Sequence, residues 1–312
     1  MGGLYNVKKF DSTRTNRAGS CATSDRRWLA RILPCVLLFL ALADGAFASG
    51  TCQDIVNKTA NDFTFFGARH GENKTLPTRL RLIVWNVYKG GKPGLATDFQ
   101  DLSQSAQLVL LQEATDHPKF MTELSNANES ISWAMARSFY QERAGSFTGV
   151  ATGSTVKPLA QKKLLSPVSE PITNTPKSTL VSDFAMVTPD GYVERVRVVN
   201  MHAINFVGNF SFMLHIKQVI RAIREHDGPV IFAGDFNTWS PWRTWFLHQA
   251  AKRLGLSQAH HSPGLFLTLD YIFTRGFKRI STEYPGRPIK SSDHEPMILN
   301  LELELKRTQQ RI

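Results

Sequence analysis

Hydrophobic and polar residues alternate in short segments along most of the chain, and these segments predict a domain in which β-strands dominate. Leu80, Leu82 and Val84 recur at a period of two residues, as they do in a strand with one buried face. Residues 108–111 and 230–233 are uninterrupted apolar runs of strand length, which is typical of strands buried on both faces. The mixture of both kinds of strand indicates sheets that are covered by other layers.

Helical spacing and turn residues fill most of the intervals between these strands. Ser240 followed by Pro241 is a favoured start for a helix, and Asp190-Gly191 is a favoured hairpin turn. The further predicted segments are, in chain order, a helix at 95–105, a helical and then irregular stretch at 117–146, a short strand at 148–154, a looped basic stretch at 155–178, a hairpin at 180–187 and 193–200, helices at 212–224 and 240–254, and strands at 267–273 and 297–303.

The N-terminal segment, residues 1–48, has the layout of an export signal. Basic residues precede a short apolar run at 32–43, and small residues suit cleavage after Ala48. Because a membrane-spanning helix needs roughly 20 apolar residues, we predict a cleaved signal peptide and a secreted or periplasmic protein. A membrane anchor through residues 32–43 is the alternative. The predicted division is a signal peptide at 1–48, an N-terminal extension at 49–78, a main domain at 79–305 and a polar tail at 306–312.

Charge and cysteine content narrow the class of partner only partly. The chain has 37 Lys and Arg against 26 Asp and Glu, and it remains basic after the N-terminal segment is set aside. This charge suits an anionic partner such as nucleic acid, a phospholipid headgroup or a phosphorylated metabolite. Cys52 is the single cysteine after the predicted cleavage point, so the hydrophobic core rather than an internal disulfide must stabilise the fold.

Polar residues suited to metal or phosphate chemistry follow several of the predicted strands. Each has an ordinary structural explanation when taken alone; Asp235 and Asn237, for example, could close a strand with an Asx turn. Together their oxygen atoms suit a hard divalent cation such as Mg²⁺, whereas no cysteine or histidine cluster indicates zinc. These strand-end residues are Asn86, Glu113, His202, Asp235, Asn237, Asp270, Asp293 and His294.

The motifs around these residues resemble those of the endonuclease/exonuclease/phosphatase superfamily, which has the deoxyribonuclease-type fold. The resemblance covers about residues 79–304, and its wording is closest to the bacterial YafD-like branch. The motifs, in the family's order, are Trp85-Asn86-Val87, Leu111-Gln112-Glu113, Asn200-Met201-His202, Gly234-Asp235-Phe236-Asn237, Leu269-Asp270-Tyr271 and Ser292-Asp293-His294-Glu295-Pro296.

The resemblance implies a fold and a reaction class. The expected fold is a four-layer α/β sandwich, in which two packed mixed β-sheets are flanked by helices. The expected reaction is hydrolysis of a phosphoester with Mg²⁺, or alternatively Mn²⁺, as the cofactor. On this resemblance Glu113 binds the metal, with Asn86 and Asp293 in or near its coordination sphere.

The resemblance also implies roles for the remaining residues. Asp235 activates or orients the attacking water, which Asn237 positions. His294, oriented by Asp270, stabilises the phosphoryl charge or transfers a proton. His202 contacts the phosphate or assists the leaving group. Residues predicted to contact the substrate are Lys89, Asn205 and Trp239.

Three functions fit these patterns. A nuclease is favoured by the positive charge, by Lys89 and by the basic stretch at 155–178, which could follow a phosphate backbone. A lipid, phosphoinositide or sphingomyelin-type phosphodiesterase is the alternative, because exposed aromatic residues such as Trp239 could enter a membrane interface. A binding module on an inactivated fold is disfavoured because the set of catalytic residues is complete.

Overall fold

The computed structural model describes residues 62–69, 74–262 and 268–304. The predicted signal peptide, the polar tail from residue 306 and Cys52 lie outside these residues. The described residues form thirteen strands and four α-helices, in the order β1 (Phe63–Gly67), β2 (Arg79–Asn86), α1 (Leu95–Ser103), β3 (Leu108–Thr115), α2 (Pro118–Ala127), β4 (Ser132–Gln141), β5 (Ser146–Ser154), β6 (Ala160–Leu165), β7 (Ser178–Val187), β8 (Val193–His202), α3 (Asn209–Arg224), β9 (Val230–Asp235), α4 (Pro241–Arg253), β10 (Ser257–His261), β11 (Asp270–Arg275), β12 (Phe277–Glu283) and β13 (Met297–Leu303).

The strands of this region form two mixed sheets. One has seven strands in the order β1-β4-β5-β3-β2-β13-β12, and the other has six in the order β10-β11-β9-β8-β7-β6. Each sheet has one parallel pair, β2 with β3 and β8 with β9, among antiparallel neighbours. Because parallel strands end at the same edge, these two pairs place the C-terminal ends of four strands where polar residues follow.

Apolar side chains form a core layer between the sheets and another outside each of them. Leu82 and Val84 of β2 and Ile231 of β9 belong to the layer between the sheets. On the outer face of the seven-stranded sheet, Trp85 packs in one cluster with Phe99 of α1 and residues of α2. The outer face of the six-stranded sheet is covered by α3 and α4. The predicted four-layer α/β sandwich is therefore confirmed.

Five stretches of the chain differ from the sequence prediction. The predicted extension at 49–78 contributes an edge strand, β1, which pairs with β4. The stretch 117–146 contains β4 rather than ending irregularly, and 155–178 contains β6, which pairs with β7. The short strands β10 and β12 were not predicted. These strands have weak alternation because they lie at or beside sheet edges, where partners rather than periodicity decide the structure.

No helix within residues 62–69, 74–262 and 268–304 is both long and apolar enough to cross a membrane.

Candidate active site

Asp235 ends the central strand β9 of the six-stranded sheet. Gly234 precedes it with a φ of 141°, and a Cβ atom at this position would collide with the main-chain oxygen of Met201 on β8. Only glycine allows this close approach of the two strands. In the strand register Asp235 lies opposite His202 of β8 on one side and Asp270 of β11 on the other. The sheet alone thus brings three of the predicted residues together.

The Asp235 carboxylate is buried and receives hydrogen bonds from both sheets. Asn86, at the end of β2, donates from Nδ2 to Oδ2 at 3.0 Å, and the Asn237 main-chain N–H donates to Oδ1 at 2.9 Å. His202 Nε2 lies 3.6 Å from Oδ2. This distance is longer than a hydrogen bond, so an oxygen atom of water or phosphate can contact both groups.

Asp270 and His294 form a hydrogen-bonded pair beside Asp235. His294 Nδ1 donates to Asp270 Oδ2 at 2.9 Å, and the Ser262 hydroxyl donates to the same oxygen at 3.1 Å. The other ring nitrogen, Nε2, lies 3.9 Å from Asp235 Oδ2. The indole N–H of Trp85 donates to the His294 carbonyl at 2.9 Å, which ties the loop before β13 to β2. The arrangement has the geometry of an orienting carboxylate behind an imidazole.

The pKa values of this group are strongly displaced. Burial disfavours a charged His294, but the hydrogen bond to Asp270 and the charges of Asp270, Asp235 and Asp293 together raise its pKa to about 10. Burial and the neighbouring Asp270 raise the pKa of Asp235 to about 7, against the lowering effects of His294, Asn237 and Asn86. At neutral pH the site therefore holds an imidazolium next to a carboxyl group that is close to its titration midpoint.

His202 has the opposite tendency to His294. Burial is the main reason that its pKa lies well below the usual value, and the positive charge of Lys177 lowers it further. Glu113 partly opposes this effect. His202 is therefore neutral at pH 7. One of its ring nitrogens donates a hydrogen bond and the other accepts one.

Glu113 lies on the seven-stranded sheet at a break in the ladder between β3 and β5. The register shifts between Leu111 and Ala114, and Glu113 has a φ of 52°. This bulge allows the carboxylate to meet Lys89, whose ammonium group lies 2.7 Å from Oε2. Burial would raise the Glu113 pKa, but neighbouring positive charges, first that of Lys89, lower it to about 2. Glu113 is therefore fully ionised at neutral pH.

Two places in the site could hold a divalent metal, and their side chains are not equally suitable as metal ligands. One oxygen or nitrogen from each of Asp235, Asp270 and His294 lies within 4.8 Å of the others. However, Asp270 Oδ2 already accepts hydrogen bonds from His294 Nδ1 and from the Ser262 hydroxyl. Glu113 offers an ionised carboxylate of the kind that Mg²⁺ prefers. The residues present thus fit a divalent ion at Glu113 better than at the aspartate-histidine pair.

Asn86 and Asp293, the other predicted metal ligands, have different surroundings. The Asn86 side chain is buried, and its Oδ1 accepts the Tyr88 main-chain N–H at 3.1 Å. Its second lone pair remains for another contact. Asp293 is exposed, and Ser292 donates a hydrogen bond to it at 3.4 Å. Their assignment to the metal stays a prediction.

The predicted substrate contacts Asn205 and Trp239 lie together in the loops after β8 and β9. The Trp239 indole N–H donates to Asn205 Oδ1 at 2.9 Å, and the same oxygen accepts the Phe206 main-chain N–H. The indole ring of Trp239 remains 42% exposed, so it can still contact a ligand with its face. The structure thus gives Asn205 a role in orienting Trp239, besides its predicted contact with substrate.

Arg243 of α4 is a buried residue that the sequence interpretation missed. It donates to the carbonyls of Asn237 at 3.0 Å and of Val207, and its guanidinium group lies 4.3 Å from the centre of the Trp239 ring. It therefore fastens the loop after β9 to the loop after β8. Its pKa is lowered by burial to about 10, which leaves it charged. No motif marks this arginine, because its partners are main-chain carbonyls from distant loops.

Gln112 and Asn200 form a second missed contact, which joins the two sheets below the site. Gln112 Nε2 donates to Asn200 Oδ1 at 2.7 Å, and Asn200 Nδ2 donates to the carbonyl of Ala151 at 2.9 Å. Both side chains are fully buried. Such a network helps to fix the distance between Glu113, one residue after Gln112 on β3, and His202, two residues after Asn200 on β8. The sequence indicates this contact only through an amide side chain shortly before each site residue, Gln112 before Glu113 and Asn200 before His202.

Several residues with a strained backbone lie in the segments that carry the site. Non-glycine residues with positive φ include Tyr88 and Lys89 after β2, Glu113 on β3, and Asn237 after β9. Such conformations cost on the order of 1–3 kcal/mol each and persist where the surrounding structure imposes them. Their clustering around Asp235 is what a site built for binding or catalysis would show.

Comparisons with known proteins match most of the described part of the chain. The model of the endonuclease/exonuclease/phosphatase family matches residues 83–294. A UPF0294 protein of Vibrio parahaemolyticus is 30% identical over 235 residues, which cover 72% of this chain and 78% of the relative. A UPF0294 protein of Yersinia pestis is 32% identical over 236 residues, covering 73% and 86%.

Solved structures agree with the fold. An endonuclease/exonuclease/phosphatase from Beutenbergia cavernae has a TM-score of 0.55 at 18% identity and covers 72% of each chain. The human Nocturnin catalytic domain has a TM-score of 0.54 at 15% identity, covering 77% of this chain and 97% of its own. The resemblance to the superfamily and to its YafD-like branch is therefore confirmed. The chain belongs to the endonuclease/exonuclease/phosphatase family, whose members are hydrolases of phosphoesters and typically use divalent metals.

Proposed function

We propose that this protein hydrolyses a phosphodiester with Mg²⁺ by in-line attack of a water molecule, and that it is an exported nuclease. The observation that carries the proposal is the convergence on Asp235 Oδ2 of Asn86 at 3.0 Å, His202 at 3.6 Å and His294 at 3.9 Å. A proton acceptor surrounded by one imidazolium and one neutral imidazole suits the charge changes at phosphorus.

Each residue then has a defined task. Asp235, with a pKa of about 7, accepts a proton from the attacking water when it is ionised. Asn86 and the Asn237 main-chain N–H hold its carboxylate in one orientation. His294, kept protonated by Asp270, donates a hydrogen bond to a phosphoryl oxygen, where negative charge develops. His202 contacts the phosphate or the leaving oxygen.

Glu113 and its surroundings are the second half of the proposed mechanism. Glu113 would hold the Mg²⁺ ion, with Asn86 and Asp293 in or near its coordination sphere. When bound, the ion supplies Lewis-acid polarisation of the phosphoryl group. Lys89, which contacts Glu113 at 2.7 Å, is close enough to change partner from this carboxylate to a substrate phosphate.

The positive charge of the chain favours nucleic acid as the substrate. One observation favours the lipid alternative. Phe206 and Trp239, beside the site, are 55% and 42% exposed, and aromatic rings in such a position can enter a membrane interface. A sphingomyelin-type or phosphoinositide phosphodiesterase is therefore the second candidate.

The proposal that the protein is exported is based on the sequence of residues 1–48, which resembles a signal peptide. A secreted or periplasmic location brings the enzyme to extracellular or periplasmic phosphoesters. N-terminal sequencing of the protein recovered from the medium or periplasm tests this part. A mature protein that begins at Ser49 supports cleavage, whereas an intact N-terminus in the membrane fraction supports the anchor.

The activity is tested by offering different phosphoesters to the purified protein. Plasmid DNA, RNA, bis-p-nitrophenyl phosphate and sphingomyelin are each incubated with Mg²⁺, with Mn²⁺ or with a chelator. Cleavage of nucleic acid that the chelator abolishes is the expected result. Cleavage of sphingomyelin alone would favour the lipid candidate. Cleavage that persists in the chelator would show that the reaction does not need a divalent metal.

A further inference from the structure

A cavity of about 220 Å³ lies directly beside the proposed catalytic residues. Its lining includes Glu113 and His202 together with Glu170 and Lys177 of the segment between β6 and β7. Pockets that receive whole small-molecule ligands usually measure about 300–1,000 Å³, so this cavity is the size for one group of a larger substrate. The roles proposed above use Lys89, Glu113 and His202 of its lining but not Glu170 or Lys177.

Two lysines give the cavity its chemical character. Lys89 and Lys177 both line it, and their side chains are 33% and 14% exposed. The hydroxyl groups of Thr148 and Ser178 already donate to main-chain carbonyls of Ala114 and Ala136. An incoming group therefore meets ammonium donors rather than these hydroxyl donors, which suits an anion better than a sugar.

The main chain of Lys177 is fixed by hydrogen bonds to Ser166, whereas its ammonium group makes only a long contact with Glu170. Its N–H donates to the Ser166 hydroxyl at 3.0 Å, and its carbonyl accepts the Ser166 N–H at 2.8 Å. Its ammonium group lies 3.5 Å from Glu170 Oε1, while the same oxygen accepts the Asn205 N–H at a shorter 2.8 Å. The ammonium group is thus pre-positioned and can turn to a stronger anionic partner.

The charge of Lys177 already reaches the catalytic residues. It contributes to lowering the pKa values of both Glu113 and His202. His202 lines the same cavity, and its Nε2 lies 3.6 Å from Asp235 Oδ2, so an anion bound between Lys177 and Lys89 would lie beside the proposed catalytic residues.

We propose that the cavity between Lys89 and Lys177 binds a second phosphate of the substrate, adjacent to the scissile phosphoester, and that Lys177 determines this specificity. The inference rests on the proposed phosphodiesterase function. The second phosphate can come from two sources, the next phosphodiester of a nucleic acid chain or a terminal phosphomonoester. Both present the same anionic oxygens to the lysines.

Short substrates separate these sources. The value of kcat/KM is measured with Mg²⁺ for a thymidine dinucleotide with one phosphodiester, for the same dinucleotide with a 5′-phosphate, and for the trinucleotide. We expect the second phosphate to raise kcat/KM by about tenfold, the value of one charge-assisted hydrogen bond. A gain with the trinucleotide identifies the chain phosphate, and a gain with the 5′-phosphate alone identifies the monoester.

Lys177→Gln is the decisive variant, and Lys162→Gln is its matched control. Lys162 is an exposed lysine of β6 that does not line the cavity. We expect Lys177→Gln to remove the tenfold gain through KM, while Lys162→Gln keeps it. Equal kcat/KM for the one-phosphate and two-phosphate substrates in the wild-type protein would overturn the inference and leave the proposed function intact.

Binding separates a failure of the subsite from a failure of catalysis. Calorimetry with thymidine 3′,5′-bisphosphate and thymidine 3′-monophosphate measures the contribution of the second phosphate without turnover. Tighter binding of the bisphosphate that Lys177→Gln removes supports the subsite, even if no substrate is cleaved and the proposed function is wrong. Equal affinities for both ligands, in both proteins, would refute the subsite.

Discussion

Two carboxylates at the same end of the sandwich have opposite properties. Glu113, on the seven-stranded sheet, has Lys89 at 2.7 Å and a pKa lowered to about 2 despite its burial. Asp235, on the six-stranded sheet, has a second carboxylate, Asp270, as its neighbour and a pKa raised to about 7. Burial acts to raise the pKa of both acids and is the largest cause for Asp235, whereas the neighbouring positive charges reverse the direction for Glu113.

The contrast explains how one site can contain both a metal ligand and a base. A carboxylate that binds a divalent ion must be ionised at every working pH, and the cations around Glu113 ensure this. A carboxylate that accepts a proton works best when its pKa is near the ambient pH, which is the case for Asp235. One carboxylate from each sheet thus has a different role: Glu113 suits metal binding, and Asp235 suits proton transfer.

The largest expected effect is the loss of turnover when either carboxylate is replaced by its amide. Glu113→Gln and Asp235→Asn should each lower kcat on the order of 10³-fold, because each removes a separate part of the machinery. Only Glu113→Gln should raise the Mg²⁺ concentration that gives half-maximal activity. Steady-state rates at varied Mg²⁺ measure both quantities, with exposed Glu129→Gln as the control. An equal change in Mg²⁺ requirement for both variants would contradict the division of tasks.

The sequence identified the two carboxylates, but it could not predict that their pKa values differ. The strand-end motifs named Glu113 and Asp235, because hydrophobic runs that end in polar residues are local features. The pKa difference depends on Lys89 and Asp270, which approach across the strands. Arg243 could not be predicted, since its partners are carbonyls of loops that meet only in the folded chain. For the same reason the alternation pattern missed the edge strands, which are defined by their neighbours.

A smaller effect is expected when the neighbour of Asp235 is neutralised. In the wild-type protein kcat/KM should rise with pH through about 7, as Asp235 loses its proton, and fall near about 10, as His294 loses its own. Asp270→Asn removes a negative charge that raises both pKa values, so both limbs should move to lower pH. The rate at the optimum should fall about 10–100-fold, because the imidazole loses its orienting carboxylate.

The pH profile of Asp270→Asn is compared with that of Ser262→Ala. Ser262 donates to the same Asp270 oxygen at 3.1 Å, but its removal leaves the carboxylate charge in place. We expect the Ser262→Ala profile to keep both limbs close to those of the wild-type protein. An acid limb that stays in place in Asp270→Asn would show that Asp270 does not set the pKa of Asp235.

The smallest effect is on stability, where the two carboxylates should differ in sign. The folded-state pKa of Glu113 is lowered, so its charge stabilises the fold at pH above about 4.5 and this contribution is lost as the pH falls through about 2. The folded-state pKa of Asp235 is raised, so its ionisation destabilises the fold as the pH rises from about 4 to 7. At pH 8, in chelator, Glu113→Gln should unfold at a lower temperature than the wild-type protein and Asp235→Asn at a higher one.

The expected size of each change is on the order of 1–3 kcal/mol, and each kcal/mol corresponds to about 2–4 °C in Tm for a domain of this size. Calorimetric melting of both variants at pH 8 and at pH 4 measures it. At pH 4 the gain of Asp235→Asn should vanish, because the wild-type carboxyl group is then already neutral in the folded state. Two shifts of the same sign at pH 8 would mean that burial, and not the neighbouring charges, controls both acids.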